Sequence, residues 1–194
     1  MEELRLILKN GLNKRRIILE FYLKNENNLT IYFDEKTKSQ LSFLLQNILN
    51  NLKICMQIKF IIIINGLETT IDTFLDSCIS NDYFLYDNNY YKKFIKYLPT
   101  LYLISDYIGD IKTFFNFIGA FNEGVMNLII IEDSITDLHL SKSNIENIKQ
   151  LINNDYLIEF RILPDGDTVE INTKSSLIKL RDIINYIEKC LTTK

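Results

Sequence analysis

Strict alternation opens the readable part of the chain. Ile17, Leu19, Phe21 and Leu23 fall on one face of an extended segment over residues 16 to 24, and Arg16, Glu20, Tyr22 and Lys24 fall on the other. Asn25 to Asn28 form a turn, and Leu29, Ile31 and Phe33 carry the alternation onto a return strand. The period then changes: Leu41, Leu44, Leu45, Ile48, Leu49 and Leu52 recur at helical spacing and predict an amphipathic helix. Near the other end the same order returns. Residues 157 to 162 alternate, Pro164-Asp165-Gly166 turns the chain, and Thr168 to Ile171 comes back. Leu177, Leu180, Ile183, Ile184, Ile187 and Leu191 then form a helical stripe behind a cap at Thr173 or Ser175. Glu20-Phe21 aligns with Glu159-Phe160, Thr30-Ile31-Tyr32-Phe33 with Thr168-Val169-Glu170-Ile171, and Thr37-Lys38-Ser39 with Thr173-Lys174-Ser175. Leu41, Leu44 and Ile48 then match Leu177, Leu180 and Ile184. The pattern predicts two copies of a hairpin followed by a helix, at about residues 15–53 and 155–192. Such a unit cannot bury its apolar face alone and needs a partner layer.

Between the copies, residues 54–153 hold units of another kind. Residues 58 to 65, 101 to 105 and 126 to 132 are apolar on both faces, which suits strands covered on both sides, as in a parallel sheet. Each precedes a helical stripe: Leu67, Ile71, Phe74, Leu75, Cys78 and Ile79; then Ile111, Phe114, Phe115 and Ile118; then Ile145, Ile148, Leu151 and Ile152. Residues 2 to 10 read as a short helix ending at Gly11, and Tyr91 to Leu98 as another stopped by Pro99. The fold expected is one α/β domain over residues 1–194. Its sheet is mixed and mainly parallel, with helices on both faces and an internally repeated β-hairpin-helix unit at each end.

Composition narrows the function classes. A chain of 194 residues, 47% of them hydrophobic, can build one full core. Ala occurs once, at Ala120, and Trp is absent, a bias that an AT-rich coding sequence explains. A net charge of −3, with no long run of like charge, argues against nucleic acid as the partner. Cys55, Cys78 and Cys190 lack the spacing of a disulfide framework or a zinc site, and Cys78 reads as a core residue. Met1-Glu2-Glu3-Leu4-Arg5 carries acids where a signal peptide carries bases. The longest apolar stretch, Phe60 to Ile64, is far below the ~20 residues of a membrane span. A soluble, cytoplasmic protein without a membrane partner is expected.

Chemistry is sparse in this chain. In an open α/β sheet, ligands sit at the carboxyl ends of the strands, and here those ends carry Asn65, Ser105, Asp106, Glu132 and Asp133. These five are the ligand-binding candidates. Leu128-Ile129-Ile130-Ile131-Glu132-Asp133 looks like a Walker B strand, yet no GxxxxGK[ST] loop is present to cradle phosphates. His139, the single histidine, lies between two leucines and reads as a structural residue; no nucleophile elbow accompanies it. Glu68, Asp72 and Asp76 share one side of a helix and can meet a basic partner, and Tyr83, Tyr86 and Tyr90 suit an interface. These six are the partner-binding candidates. No catalytic residue, metal ligand or cofactor site stands out.

One family resemblance extends over roughly two-thirds of the chain. Phe114-Phe115-x-Phe117-x-x-x-Phe121-x-Glu123-Gly124, running into Leu128-Ile129-Ile130-Ile131-Glu132, resembles the helix-then-strand opening of degenerate RecA-like sensory domains of methanogen and methylotroph regulators. The strand with a Pro-Asp-Gly extension in those domains is similar to Phe160 to Gly166. Here the order departs, because elements that come late in the family occupy residues 17 to 105. The resemblance implies a sensor without a phosphate loop. The leading expectation is thus a non-enzymatic regulatory or sensory module that binds a small ligand or a protein partner. An acidic inhibitor of the immunity or antitoxin kind is the alternative, and an enzyme acting on a phosphorylated substrate through Glu132 and Asp133 is the third.

Overall fold

The computed structural model describes residues 4–9, 18–35, 37–55, 58–86, 99–118, 124–132, 145–154, 156–164 and 167–192. Its elements are β1 (Leu4–Lys9), β2 (Ile18–Asn25), β3 (Asn28–Phe33), α1 (Lys38–Cys55), β4 (Ile58–Asn65), α2 (Glu68–Leu75) and β5 (Tyr83–Tyr86). They continue with β6 (Thr100–Ser105), α3 (Ile108–Asn116), β7 (Val125–Glu132), α4 (Ile145–Asn154), β8 (Ile158–Ile162), β9 (Thr168–Thr173) and α5 (Leu180–Thr192). Among the described residues the nine strands form one sheet in the order β1-β2-β3-β9-β8-β7-β4-β6-β5. Every neighbouring pair is antiparallel.

This corrects the mainly parallel sheet expected from the sequence. The inner strands are apolar on both sides, but such burial reports that both faces are covered and leaves strand direction open. β6, α3 and β7 do join two strands that run the same way; β4 lies between those strands and opposes both. Likewise β3 and β4, linked by α1, run the same way with β9, β8 and β7 between them. α1, α2 and α3 thus connect co-directional strands that are not neighbours, with opposing strands filling the gaps, whereas α4 links the antiparallel neighbours β7 and β8.

The two hairpin-helix units share their order of elements, and Phe21 and Phe160 are both fully buried. They stand at the two ends of the chain but side by side in the sheet. β3 pairs with β9 so that Ile31 faces Val169, its own counterpart in the repeat, while Thr30 faces Glu170 and Tyr32 faces Thr168. A local two-fold axis therefore passes through the Ile31 and Val169 pair. The copies are not identical in register. Phe21 faces Ile31 whereas Phe160 faces Ile171, a two-residue difference that leaves each side chain on its face. The helix register also moves. Leu177 precedes α5 and is 72% exposed, and the buried Leu41, Leu44 and Leu45 of α1 are matched by Leu180, Ile183 and Ile184.

Four helices cover one face of the sheet. α1, α2, α3 and α5 bury Leu45, Phe74, Phe115 and Ile187 against Phe21, Phe60 and Phe160 of the strands. Phe115 meets Phe160 edge-on with centroids 5.5 Å apart, and the Ser42 hydroxyl of α1 donates to the Phe115 carbonyl at 3.0 Å. On the other face α4 places Ile148 over Ile61, Ile104, Ile129 and Ile131. Helices thus lie on both faces, unequally.

Local expectations need three corrections. Residues 4 to 9 form a strand rather than a helix: a segment this short gains few intrahelical bonds, whereas pairing with β2 satisfies its backbone. Tyr83 to Tyr86, within a segment given no strand, pair with β6. α2 ends at Leu75, so Ile79 leaves the helical stripe and is 57% exposed. The helix expected at Tyr91 to Leu98, and His139, lie outside the described residues. Among the described residues no helix is long and apolar enough to cross a membrane.

Candidate functional site

Antiparallel pairing takes the predicted strand-end crevice apart. Asn65 lies at one end of the sheet beside Thr100 and Val125, while Ser105 and Glu132 lie at the other, opposite Phe60 and Ile58. Parallel strands would have brought all these ends to one edge. Asn65 therefore shares no crevice with Ser105, Asp106 or Glu132, and its amide donates to Thr100 Oγ1 at 2.9 Å. Ser105 and Glu132 share an end of the sheet but sit on opposite sides of β4. Asp106 and Glu132 are exposed, and Asp133 lies outside the described residues.

What gathers at the end of β6 is an anchor on Asp110, a residue that sequence reasoning missed. Asp110 sits in the first turn of α3 and is fully buried. Its Oδ1 accepts the Ile79 N–H at 2.6 Å, and its Oδ2 accepts the Ser80 N–H at 3.1 Å and the Ser105 hydroxyl at 2.6 Å. Three donors offset the loss of hydration around a buried carboxylate. The Ser105 oxygen also accepts the Tyr107 N–H at 3.0 Å, and the Ser80 hydroxyl donates to the Ile104 carbonyl at 2.7 Å. A cleft of about 390 Å³ beside this anchor is lined by Lys59, Ser80, Asp82, Ser105, Asp106 and Tyr107. It collects two of the predicted ligand residues, but the Ser105 hydroxyl is committed to Asp110. The signal in the sequence was an acid in the first turn of a helix that starts just after a strand-end serine.

Cys78 packs beside this anchor. Burial pushes its thiol up to about 12, and the negative charge of Asp110 adds to the shift. The side chain stays protonated at neutral pH and is a poor nucleophile. Iodoacetamide at pH 7.5 is expected to leave Cys78 unmodified in the folded protein and to alkylate it in urea, as read by peptide mass spectrometry. Rapid alkylation of the folded chain would contradict this packing.

The partner-binding candidates scatter. Glu68, Asp72 and Asp76 are exposed along and just beyond α2, and Tyr83 is exposed on the edge strand β5. Tyr86 ends β5 with its side chain outside the described residues, and Tyr90 lies outside them altogether. The acids lie along α2 and just beyond it, whereas Tyr83 belongs to β5.

A more continuous surface is the sheet face that carries α4. One cross-strand row runs over the whole sheet: Arg5, Tyr22, Thr30, Glu170, Arg161, Asn127, Ile63, Tyr102 and Phe84, each opposite the next. From β2 to β7 the row is polar; from β4 onward it is apolar. α4 packs over the apolar half, at Ile61, Ile63, Ile104 and Ile129. On the polar half Arg161 bridges Glu159 and Glu170, each at 3.4 Å, and Asn172 donates to Glu159 at 3.0 Å. Arg161 Nε and Asn127 Oδ1 are buried without a hydrogen-bond partner, which costs about 1–3 kcal/mol for each group. Tyr32, one step along β3 from this row, is 48% exposed. The alternation of Glu20 and Tyr22 against the core positions already placed them on this outer face.

No protein-family model matches the chain, and comparison with curated proteins and with solved structures returns no match.

Proposed function

We propose that the protein is a non-enzymatic regulatory or sensory module that receives a protein partner on the polar half of its second sheet face. The observation that carries this reading is the division of that face: α4 covers the isoleucine half, while Tyr22, Thr30, Tyr32, Arg161 and Glu170 form a half-exposed polar and aromatic surface on four adjoining strands. Tyrosine and arginine are enriched at protein interfaces because they combine large contact area with hydrogen-bonding tips. The Arg161–Glu170 bridge is half-exposed and contributes little to stability, on the order of 0–1 kcal/mol, so a partner can exchange it for its own contacts, whereas Glu159 is buried. The acidic-inhibitor reading draws instead on Glu68, Asp72 and Asp76, all exposed.

One capture experiment separates the two. The purified chain is used as bait in an extract of its own cells, in parallel with Tyr32→Ser plus Arg161→Gln and with Glu68→Lys plus Asp72→Lys. Loss of the captured protein by about tenfold or more in the first variant only, at unchanged Tm, is the expected result; hot-spot residues carry effects of that size. Loss in the acidic variant alone favours the inhibitor reading. Equal capture by all three baits removes the sheet face from consideration.

A further inference from the structure

The two copies of the hairpin-helix unit differ where each hairpin turn meets the chain entering the other unit's helix. Phe33, at the end of β3, donates its N–H to the Asp167 carbonyl before β9 at 3.0 Å, and Thr173, at the end of β9, donates to the Asn27 carbonyl of the β2–β3 turn at 3.0 Å. These two bonds extend the β3–β9 ladder at its two ends. Past β3 the short connection closes on itself: the Thr37 N–H donates to Asp34 Oδ1 at 3.0 Å, the Asp34 N–H to Thr37 Oγ1 at 3.2 Å, and Thr37 is fully buried. Past β9 the connection runs two residues longer, 174–179 against 34–37, and stands off from the turn. A groove of about 740 Å³ remains between them, a size typical of small-molecule sites.

The groove is lined by Lys24, Lys179 and Arg181, with Glu26 as the one acid among its lining residues. None of these three cations forms an ion pair with a described residue. Leu23, Ile178 and Leu180 supply an apolar floor. Three cations without an ion pair to a described residue line one cavity of a chain whose net charge is −3.

We propose that this groove binds a phosphate-bearing small molecule, its anionic group held among Lys24, Lys179 and Arg181 and its apolar part against Leu23, Ile178 and Leu180. The guanidinium fork matches two phosphate oxygens at once, and the lysines add point charges. The groove shares no residue with the polar sheet face, so the proposal stands apart from the protein-partner reading.

The test is a titration of the full chain with inorganic pyrophosphate and with ADP, read by calorimetry and by amide shifts in ¹⁵N NMR spectra. Saturable binding is expected, with shifts centred on residues 23–27 and 175–181. Lys179→Gln plus Arg181→Gln should weaken it about tenfold or more, the effect of losing charge-assisted hydrogen bonds. Both replaced side chains are exposed, so Tm should hold. Lys149→Gln, on α4, should bind as the wild type does. Absence of saturable binding by both probes, or equal affinity in the double variant, overturns the proposal. So does a single-stranded oligonucleotide that binds more tightly than ADP and shifts amides well beyond the groove, since that is the signature of a polyanion surface.

Discussion

Replacing Asp110 by Ala is expected to lower the unfolding free energy by about 3–5 kcal/mol, because the donors it collects are left buried and unpaired. The Ile79 and Ser80 N–H groups and the Ser105 hydroxyl all converge on its carboxylate, and together they tie the segment after α2 and the end of β6 to the start of α3. Asn is not a remedy. Its amide can present one oxygen, but its NH₂ then faces a donor, so Asp110→Asn should recover only a minor part of the loss. Urea denaturation of the three proteins measures both effects, and hydrogen exchange should quicken first at Ile79 and Ser80. A loss below about 1 kcal/mol for the Ala variant would mean that these bonds add little beyond what water supplies.

The second large effect is expected at Gly124. Its φ of +96° is a conformation that side chains other than glycine rarely adopt. A Cβ there would also run into the Asn65 carbonyl oxygen, with the Asn65 carbonyl carbon at 2.8 Å and the Gly66 Cα at 3.0 Å. Those obstacles are backbone atoms at the end of β4 and cannot swing aside. Gly124→Ala should therefore cost about 2–4 kcal/mol, more than the usual strain of a positive φ by itself. Asn tolerates positive φ but brings the same Cβ. If the close approach dominates, Gly124→Asn will be as unstable as Gly124→Ala; if Asn restores most of the stability in thermal melts, dihedral strain is the whole effect and the Asn65 backbone gives way to the added Cβ.

Burial was legible wherever a period was long enough to count. Leu41, Leu44, Leu45 and Leu49 of α1 and Ile111, Phe114, Phe115 and Ile118 around α3 are buried as their spacing predicts, because a helix must turn one stripe to the core. Leu177 misled for a local reason. It continues the stripe by spacing, yet the chain enters α5 three residues later, and spacing cannot tell where a helix starts when Ser and Lys dominate the approach. The site residues fared less well. Ser105 and Asp106 do line one small cleft, whereas Asn65 and Glu132 were grouped with them only through an assumed strand direction. Asp110 carried too weak a signal, since one acid in a first helical turn is common and two of its three donors, the Ile79 and Ser80 N–H groups, lie 31 and 30 residues away in the chain.

By itself the sequence determined which segments pair with which period, that two hairpin-helix units repeat, and that Phe21 and Phe160 enter the core. Those properties follow from side-chain spacing along one element and need no knowledge of neighbours. Only the tertiary structure decided that every ladder is antiparallel, that the two repeats join through Ile31 and Val169, and that α4 covers the isoleucine half of its face. The reason is that hydrophobic alternation reports how deeply a strand face is buried and is unchanged when the strand is reversed. Direction comes from where each crossover can reach and which strand fills the gap beneath it, here β4 between β6 and β7, and that is a property of the whole sheet.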